Sequence, residues 1–425
     1  MDNNRRNRRS SPVAITRDEC QALDAEDPLK DFREEFSLPP GVIYLLGNSL
    51  GALPRRTPER VAHTVETEWG VHLGASWNSA GWWDLPQTTG DRIAPLIGAR
   101  PGDVLAGDST SVNIFKAVTA ALPLRPDRRV IVSDLDNFPT DRYVVEGAAR
   151  ALGPYEIRDI GSAPDANGGT LEEALGDDVA LVLLSHVDYR TGAMRDMAAV
   201  TAQVHAAGAL MIWDLCHSAG VVPVEMGEVD LAVGCTYKYL NGGPGAPAYI
   251  YVAPRHQEAV HNVVSGWHGH AAPFAFEPGY RPAAGVRRFA VGSPPVLSYA
   301  ALGASLDIWE RVDMAAVRAK SVALTSLFIE LTDELCPDLA LATPRDPAGR
   351  GSQVSYRHAD GYPVVRALAD RGVVGDYREP EIIRFGFAPL YLRHVDVYDA
   401  ATTLAEVLGK ELWRDERYSR RLAVT

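Results

Sequence analysis

Asp214 closes the apolar run Leu210-Met211-Ile212-Trp213, and Lys238 follows it between Tyr237 and Tyr239, just before Asn241-Gly242-Gly243. A carboxylate at the end of a buried strand is costly unless a cation or a hydrogen-bond donor meets it. A protonated ring nitrogen is one such partner. A buried lysine amine has its pKa lowered, which favours condensation with a carbonyl to a Schiff base. Glycines after it let the backbone pass close to a ligand. Upstream, Gly107-Asp108-Ser109-Thr110-Ser111-Val112-Asn113 precedes the helical stretch Ile114 to Ala121. Hydroxyls and free amides at a helix start suit an anion such as phosphate. Taken singly, each segment has an ordinary reading: a capping or loop aspartate, an exposed turn lysine, a plain N-cap. In this order they are the parts that pyridoxal 5'-phosphate (PLP) needs. The lysine holds the cofactor, the carboxylate keeps its pyridine nitrogen protonated so that the ring draws electrons, and the helix start takes the phosphate.

Such residues must be held by a sheet. Arg129–Asp134, Val179–His186, Ala209–Asp214 and Ala248–Val252 read as continuous apolar strands, and Met197 to Gly208 reads as a helix ending at its glycine. Buried strands alternating with helices predict a mostly parallel sheet covered on both faces, with the ligand at the carboxyl ends of the strands. From about Ala300 the pattern changes. Ser305–Ala319 and Val322–Leu335 read as helices, Gln353–Tyr356 and Ile382–Gly386 as strands, and Asp396 onward as a terminal helix. The fold expected is α/β, the PLP-dependent transferase fold type I. A large domain with a mostly parallel sheet is joined to a smaller α+β C-terminal domain. The divisions expected are a disordered arginine-rich tail over 1–14, a segment packing on the small domain over 15–55, a PLP-binding domain over 56–300 and the small domain over 301–425.

The formal net charge of -13 disfavours a nucleic-acid partner, which would select a basic face. The four cysteines (Cys20, Cys216, Cys235 and Cys336) form no C-x-x-C pair. Neither a disulfide framework nor a metal site is expected, and a reducing cytoplasm is the simplest setting. The start, MDNNRRNRRS, runs on into polar sequence rather than an apolar signal core. No apolar run of about 18 residues predicts a membrane span.

Several segments together resemble kynureninase, especially its bacterial form. They are Tyr44-Leu45-Leu46-Gly47-Asn48-Ser49-Leu50-Gly51, Asn137-Phe138-Pro139-Thr140-Asp141, Trp213 to Gly220, Cys235 to Gly243, Gly266-Trp267-His268-Gly269-His270, and Arg384 to Tyr391. They run in order from about Cys20 to the C-terminus. The resemblance implies hydrolysis of kynurenine to anthranilate and alanine, with PLP as cofactor, an amino acid as substrate and a homodimer whose site is shared between subunits. It implies that Lys238 holds PLP and moves protons, that Asp214 meets the pyridine nitrogen, and that His217 orients the cofactor or its aspartate. Phe138 would stack on the ring. Asp141 belongs to the same cofactor-binding set. Thr110, Ser111 and Tyr237 would bind the phosphate, and Tyr237 would also donate a proton at the cleavage step. Trp267 and the Gly292-Ser293 turn would arrive from the neighbouring subunit. Arg384 would hold the substrate α-carboxylate as a fork. Asn48, Trp77 and His268 would line the substrate slot.

The chain departs from the bacterial pattern at His268, where phenylalanine is usual, and at Ser293-Pro294, where threonine-glutamine is usual. Animal enzymes that favour 3-hydroxykynurenine carry asparagine at the Ser293 position. A ring-substituted kynurenine is therefore within the expected substrate range, with His268 read first as a packing residue. The competing reading on the same fold is a cysteine desulfurase or β-lyase, which would need a cysteine on a mobile loop. Cys336, in Glu334-Leu335-Cys336-Pro337-Asp338, has no glycine-rich loop around it, and Cys216 and Cys235 are read as packing. A non-catalytic binding protein would not require Lys238, Asp214 and Tyr237 together.

Overall fold

Strand periodicity decides the layering. Leu181 and Leu183 fall in one buried apolar cluster, and Val182 and Leu184 in another. This strand is therefore covered on both faces. The computed structural model describes residues 15–161 and 168–421. The expected 1–14 tail lies outside the described residues, as do 162–167 and 422–425. The main sheet has seven strands: β1 (Val104–Ala106), β2 (Val130–Asp134), β3 (Glu156–Ile160), β4 (Val179–Ser185), β5 (Leu210–Asp214), β6 (Leu231–Gly234) and β7 (Tyr249–Val252), in the order β1-β7-β6-β5-β4-β2-β3. The pairs among β2 to β6 are parallel. Strand β7 runs antiparallel to both its neighbours, β6 and β1. Its apolar run marks it as buried but carries no information about direction.

The labelled helices are α1 (Arg17–Glu26), α2 (Thr110–Ala121), α3 (Pro139–Leu152), α4 (Met197–Ala206), α5 (Val296–Trp309), α6 (Met314–Leu335) and α7 (His394–Gly409). Ile114 and Val118 of α2 and Val145 and Ala148 of α3 cover one face of the sheet; Met197 and Val204 of α4 join the other. Caps fix several ends. The Ser109 hydroxyl accepts from Val112 N–H, and the Asp196 carboxylate from Ala199 N–H at 2.9 Å. Gly208, at φ +75°, takes the left-handed turn that leads from α4 into β5.

The helix division expected near Lys320 is corrected. The break falls over 310–313, where the Asp313 carboxylate accepts from Ala315 N–H and starts α6. Helix α6 runs straight through Lys320 and Ser321, both buried. Lys320 is paired with buried Asp27 at 2.5 Å, an ion pair held inside the protein.

The C-terminal region builds a second, antiparallel sheet from β8 (Ala340–Leu341), β9 (Gln353–Arg357), β10 (Asp376–Arg378) and β11 (Ile382–Gly386), in the order β8-β9-β11-β10. Helix α1 returns to this region. Arg17 pairs with Asp399 at 2.8 Å, and Asp24 accepts from the backbone N–H groups of His394 and Val395 at the start of α7. Among the described residues no helix is long and apolar enough to cross a membrane.

Candidate active site

The carboxyl ends of β2, β4, β5 and β6 converge on a cleft of about 210 Å³. Ten of the fourteen residues expected at the site line it: Asn48, Thr110, Ser111, Phe138, Asp141, Asp214, His217, Tyr237, Lys238 and Arg384.

Lys238 sits in a turn that its own sequence dictates. Asn241 N–H donates to the Lys238 carbonyl at 2.9 Å, Gly242 N–H to the Thr236 carbonyl at 2.8 Å, and Asn241 adopts φ 56°. Asparagine tolerates that left-handed conformation better than most residues. The Lys238 amine lies 2.9 Å from Nε2 of His217. Burial, followed by the charges of Lys238, Arg384 and Arg378, holds His217 well below its ordinary pKa. The imidazole is therefore neutral, and its Nε2 accepts from the ammonium. The sequence-based expectation of a lowered lysine pKa is corrected. Burial does act to lower it, but the facing Cys235, Cys216, Tyr237 and Asp214 outweigh burial and raise it.

Asp214 and Asp141 form a carboxyl pair on the floor of the cleft. One Asp214 oxygen accepts from Cys216 N–H at 2.8 Å. Burial, then the Asp214 charge and a side-chain hydrogen bond to it, push Asp141 well above the usual carboxyl range. One carboxyl of the pair is thus held neutral beside a carboxylate, as close like charges require.

The helix start at Thr110 and Ser111 faces the cleft, half-buried, at the positive end of α2. Its approach is fixed by Lys116, which is buried and bonds both the Asp108 carboxylate and the Phe289 carbonyl. Phe138 lines the cleft at the start of α3, edge-on to Tyr189 with ring centroids 5.2 Å apart.

Arg384 is buried on β11. Its Nε donates to Asp376 at 2.7 Å, and its Nη1 donates to the Tyr189 carbonyl. The Nε edge of the fork is thus committed to Asp376. Asn48 donates to Gln353 at 2.7 Å, while its buried Oδ1 has no hydrogen-bond partner among the described residues.

Four expected residues lie elsewhere in this chain. Trp77 packs edge-on against Trp82 at 5.7 Å. Trp267 and His268 pack on Trp83 at 4.9 and 4.1 Å. Ser293 lines a neighbouring cleft with Asp108, Asn113 and Lys116, behind the α2 start. Conversely, Ser49, Thr140, Ser185, Tyr189, Cys216 and Arg378 line the main cleft without having been singled out as site residues. Ser185 ends a buried strand in a polar residue, as Asp214 does, and the same rule would have found it. Arg378 lies in the short strand β10, whose three residues carry no readable period.

Comparison with known proteins follows the same line. Residues 317–404 match the family model "Kynureninase C-terminal domain". The chain is 51% identical to the kynureninase of Burkholderia pseudomallei strain 1106a and 49% identical to that of Pseudomonas fluorescens. Each match covers 96% of this chain and all of the relative. The chain belongs to the kynureninase family. Solved structures with the same fold include a cysteine desulfurase from Thermococcus onnurineus NA1 (TM-score 0.75, 18% identity, 90% of this chain and 98% of that one). Another is a variant of C-DES with glycine covalently linked to its PLP cofactor (TM-score 0.77, 19% identity, 88% and 99%). At these identities they show the fold alone, and it is the PLP-dependent transferase fold expected.

PLP, the cofactor of the kynureninase family, fits the donor set of this cleft. The cleft gathers an amine, a carboxylate with a neutral carboxyl beside it, hydroxyls at a helix start, and three buried polar atoms with no hydrogen-bond partner among the described residues, Asn48 Oδ1, Asp141 Oδ2 and His217 Nδ1. Lys238 would hold the cofactor carbonyl, Asp214 its ring nitrogen, and Thr110 and Ser111 its phosphate.

Proposed function

We propose that this kynureninase-family chain hydrolyses the Cβ–Cγ bond of L-kynurenine, or of a ring-substituted kynurenine, to L-alanine and the matching anthranilate. One observation carries the reading: Lys238, the Asp214–Asp141 pair, the α2 start and Arg384 face one cleft. PLP supplies an electron sink for the charge left when a proton leaves Cα and when the Cβ–Cγ bond breaks. The chain's own groups do the rest. Arg384 binds the α-carboxylate. The Lys238 amine, next to neutral His217, moves the proton at Cα. Burial, followed by the charge of Cys235, raises the Tyr237 pKa, so its phenol stays protonated and can donate at the cleavage step while reaching toward the phosphate. Water adds at the γ-carbonyl, and its oxygen leaves in the anthranilate carboxylate.

The desulfurase alternative loses ground at Cys336. That thiol is buried at the end of α6, and burial pushes its pKa up to about 11. A reactive cysteine needs the opposite environment.

The homodimer belongs to the same proposal, with Trp267 and the Gly292-Ser293 turn reaching the neighbour's cleft and Trp77 and His268 flanking the aryl slot. Exposed apolar side chains support it. Trp69 is 57% exposed, Phe274 64% and Phe276 79%, apolar surface that a second subunit would cover. The cytoplasmic setting and the divisions 15–55, 56–300 and 301–425 are part of this reading too.

The test is a product assay on PLP-loaded protein with L-kynurenine and 3-hydroxy-L-kynurenine side by side. Anthranilate or 3-hydroxyanthranilate is expected with equimolar alanine, and the ratio of the two kcat/KM values assigns the ring preference. Bound PLP without turnover of either substrate would overturn the proposed reaction.

A further inference from the structure

Asp376 and Arg384 are directly opposed across the antiparallel pair β10–β11. Arg378 lies two residues beyond Asp376 on β10, so both point to the same face of the sheet. Both guanidinium groups converge on one atom. Asp376 Oδ2 receives Arg384 Nη2 and, at 2.9 Å, Arg378 Nη2. Asp376 is 1% exposed and its second oxygen is taken by Arg384 Nε. Arg378 also donates to the carbonyl of the adjacent Tyr377. Both arginines line the Lys238 cleft.

Two guanidinium groups on one carboxylate leave a net charge of about +1 at this wall of the cleft, since arginine stays protonated. Burial, and after it the charge of Arg384, pushes Arg378 below its ordinary pKa. A second carboxylate on the open side would complete an alternating arrangement of two cations and two anions. The single α-carboxylate of an amino acid is such a group. Arg384 alone could not supply the charge, because Asp376 already neutralises it.

We propose that Arg378 is a second carboxylate-reading residue of this cleft, forming with Arg384, over the shared Asp376, a subsite of one net positive charge. The assignment rests on the reading that the cleft takes an amino acid onto PLP held by Lys238.

The test compares two amines that differ only by a carboxylate, L-alanine and ethylamine. Each is titrated against the visible absorbance of PLP bound to the full-length protein. Arg378→Gln is expected to weaken L-alanine binding by about tenfold, the usual scale for one charge-assisted contact, while ethylamine changes by less than about twofold. Arg378→Lys keeps the charge and should recover most of the loss. Unchanged L-alanine binding in Arg378→Gln would overturn the assignment. Equal weakening of both amines would also overturn it, since it would make Arg378 a general structural residue. If the wild-type absorbance responded to neither amine, the amino-acid reading of the cleft would fail first, and this assignment with it.

Discussion

Gly51 packs its backbone directly on the Lys238 turn. Its N–H donates to the Tyr237 carbonyl at 2.8 Å, and a Cβ at position 51 would lie 2.3 Å from the Lys238 carbonyl oxygen. The N-terminal loop therefore buttresses the lysine, and only glycine permits the approach. Gly51→Ala should force the turn to shift, costing about 1–3 kcal/mol as other overpacked sites do. PLP retained after dialysis, read by visible absorbance, should fall along with Tm. If both stayed at wild-type values, the Lys238 turn would not depend on this contact.

Asp141 is held neutral by burial beside Asp214. Asn is a close match for a neutral carboxyl in shape and hydrogen bonding. Asp141→Asn should keep PLP affinity within about threefold, whereas Asp141→Ala leaves Asp214 without that neighbour and should weaken it by at least about tenfold, on the scale of one lost buried hydrogen bond. Equal losses in the two variants, measured by PLP titration, would mean that the ionised form of Asp141 is the one that matters.

Arg384→Ala should raise KM for an amino-acid substrate by roughly hundredfold, the scale of a buried charge pair broken at one partner. PLP content should change little, because the contacts of Arg384 run to Asp376 and Tyr189 rather than to the Lys238 turn. An unaffected KM would make Arg384 a structural partner of Asp376 and nothing more.

His268 is buried against Trp83, with ring centroids 4.1 Å apart, and burial followed by the Arg287 charge lowers its pKa. A neutral ring in an aromatic cluster behaves as a packing group. His268→Phe should leave Tm within about 3 °C, since a volume-conserving swap costs little. Any change in the ratio of kynurenine to 3-hydroxykynurenine turnover would then report the ring pocket. A collapse in Tm would show that the imidazole nitrogens hold this cluster.

Asp24 acts as an N-cap for α7 from a distant helix. Burial pulls its pKa up, but the hydrogen bonds from the His394 side chain and from the Val395 and His394 N–H groups outweigh burial and leave it lowered. A carboxyl with a lower pKa folded than unfolded binds fewer protons when folded. Its stabilisation is full above the unfolded pKa, near 4, and is lost as pH falls through the folded value. Asp24→Ala should cost about 1–2 kcal/mol at neutral pH, as a lost cap does. In urea melts the gap to wild type should close below about pH 4. A gap that stayed constant into acid would remove the carboxylate charge from the account.

The sequence by itself determined the most apolar strands and the class of chemistry. Apolar runs fixed β2, β4, β5 and β7 within a residue or so, because a strand buried on both faces must be apolar throughout. The polar strand end at Asp214, the lysine before its glycine turn and the hydroxyls opening α2 marked the candidate cofactor-holding groups that share the cleft, because each residue type has few partners that repay its burial. Tertiary structure decided what local pattern cannot encode. It set the reversed direction of β7, since register and direction belong to pairs of strands. It carried α6 through Lys320, whose charge is paired in the interior with Asp27. It raised the Lys238 pKa, where burial alone predicted a fall, because Cys216 and Asp214 from a separate strand end join Cys235 and Tyr237 beside the amine. It also placed Asp376 opposite Arg384 with Arg378 alongside, a relation set by the pairing of β10 with β11 rather than by any spacing in the chain.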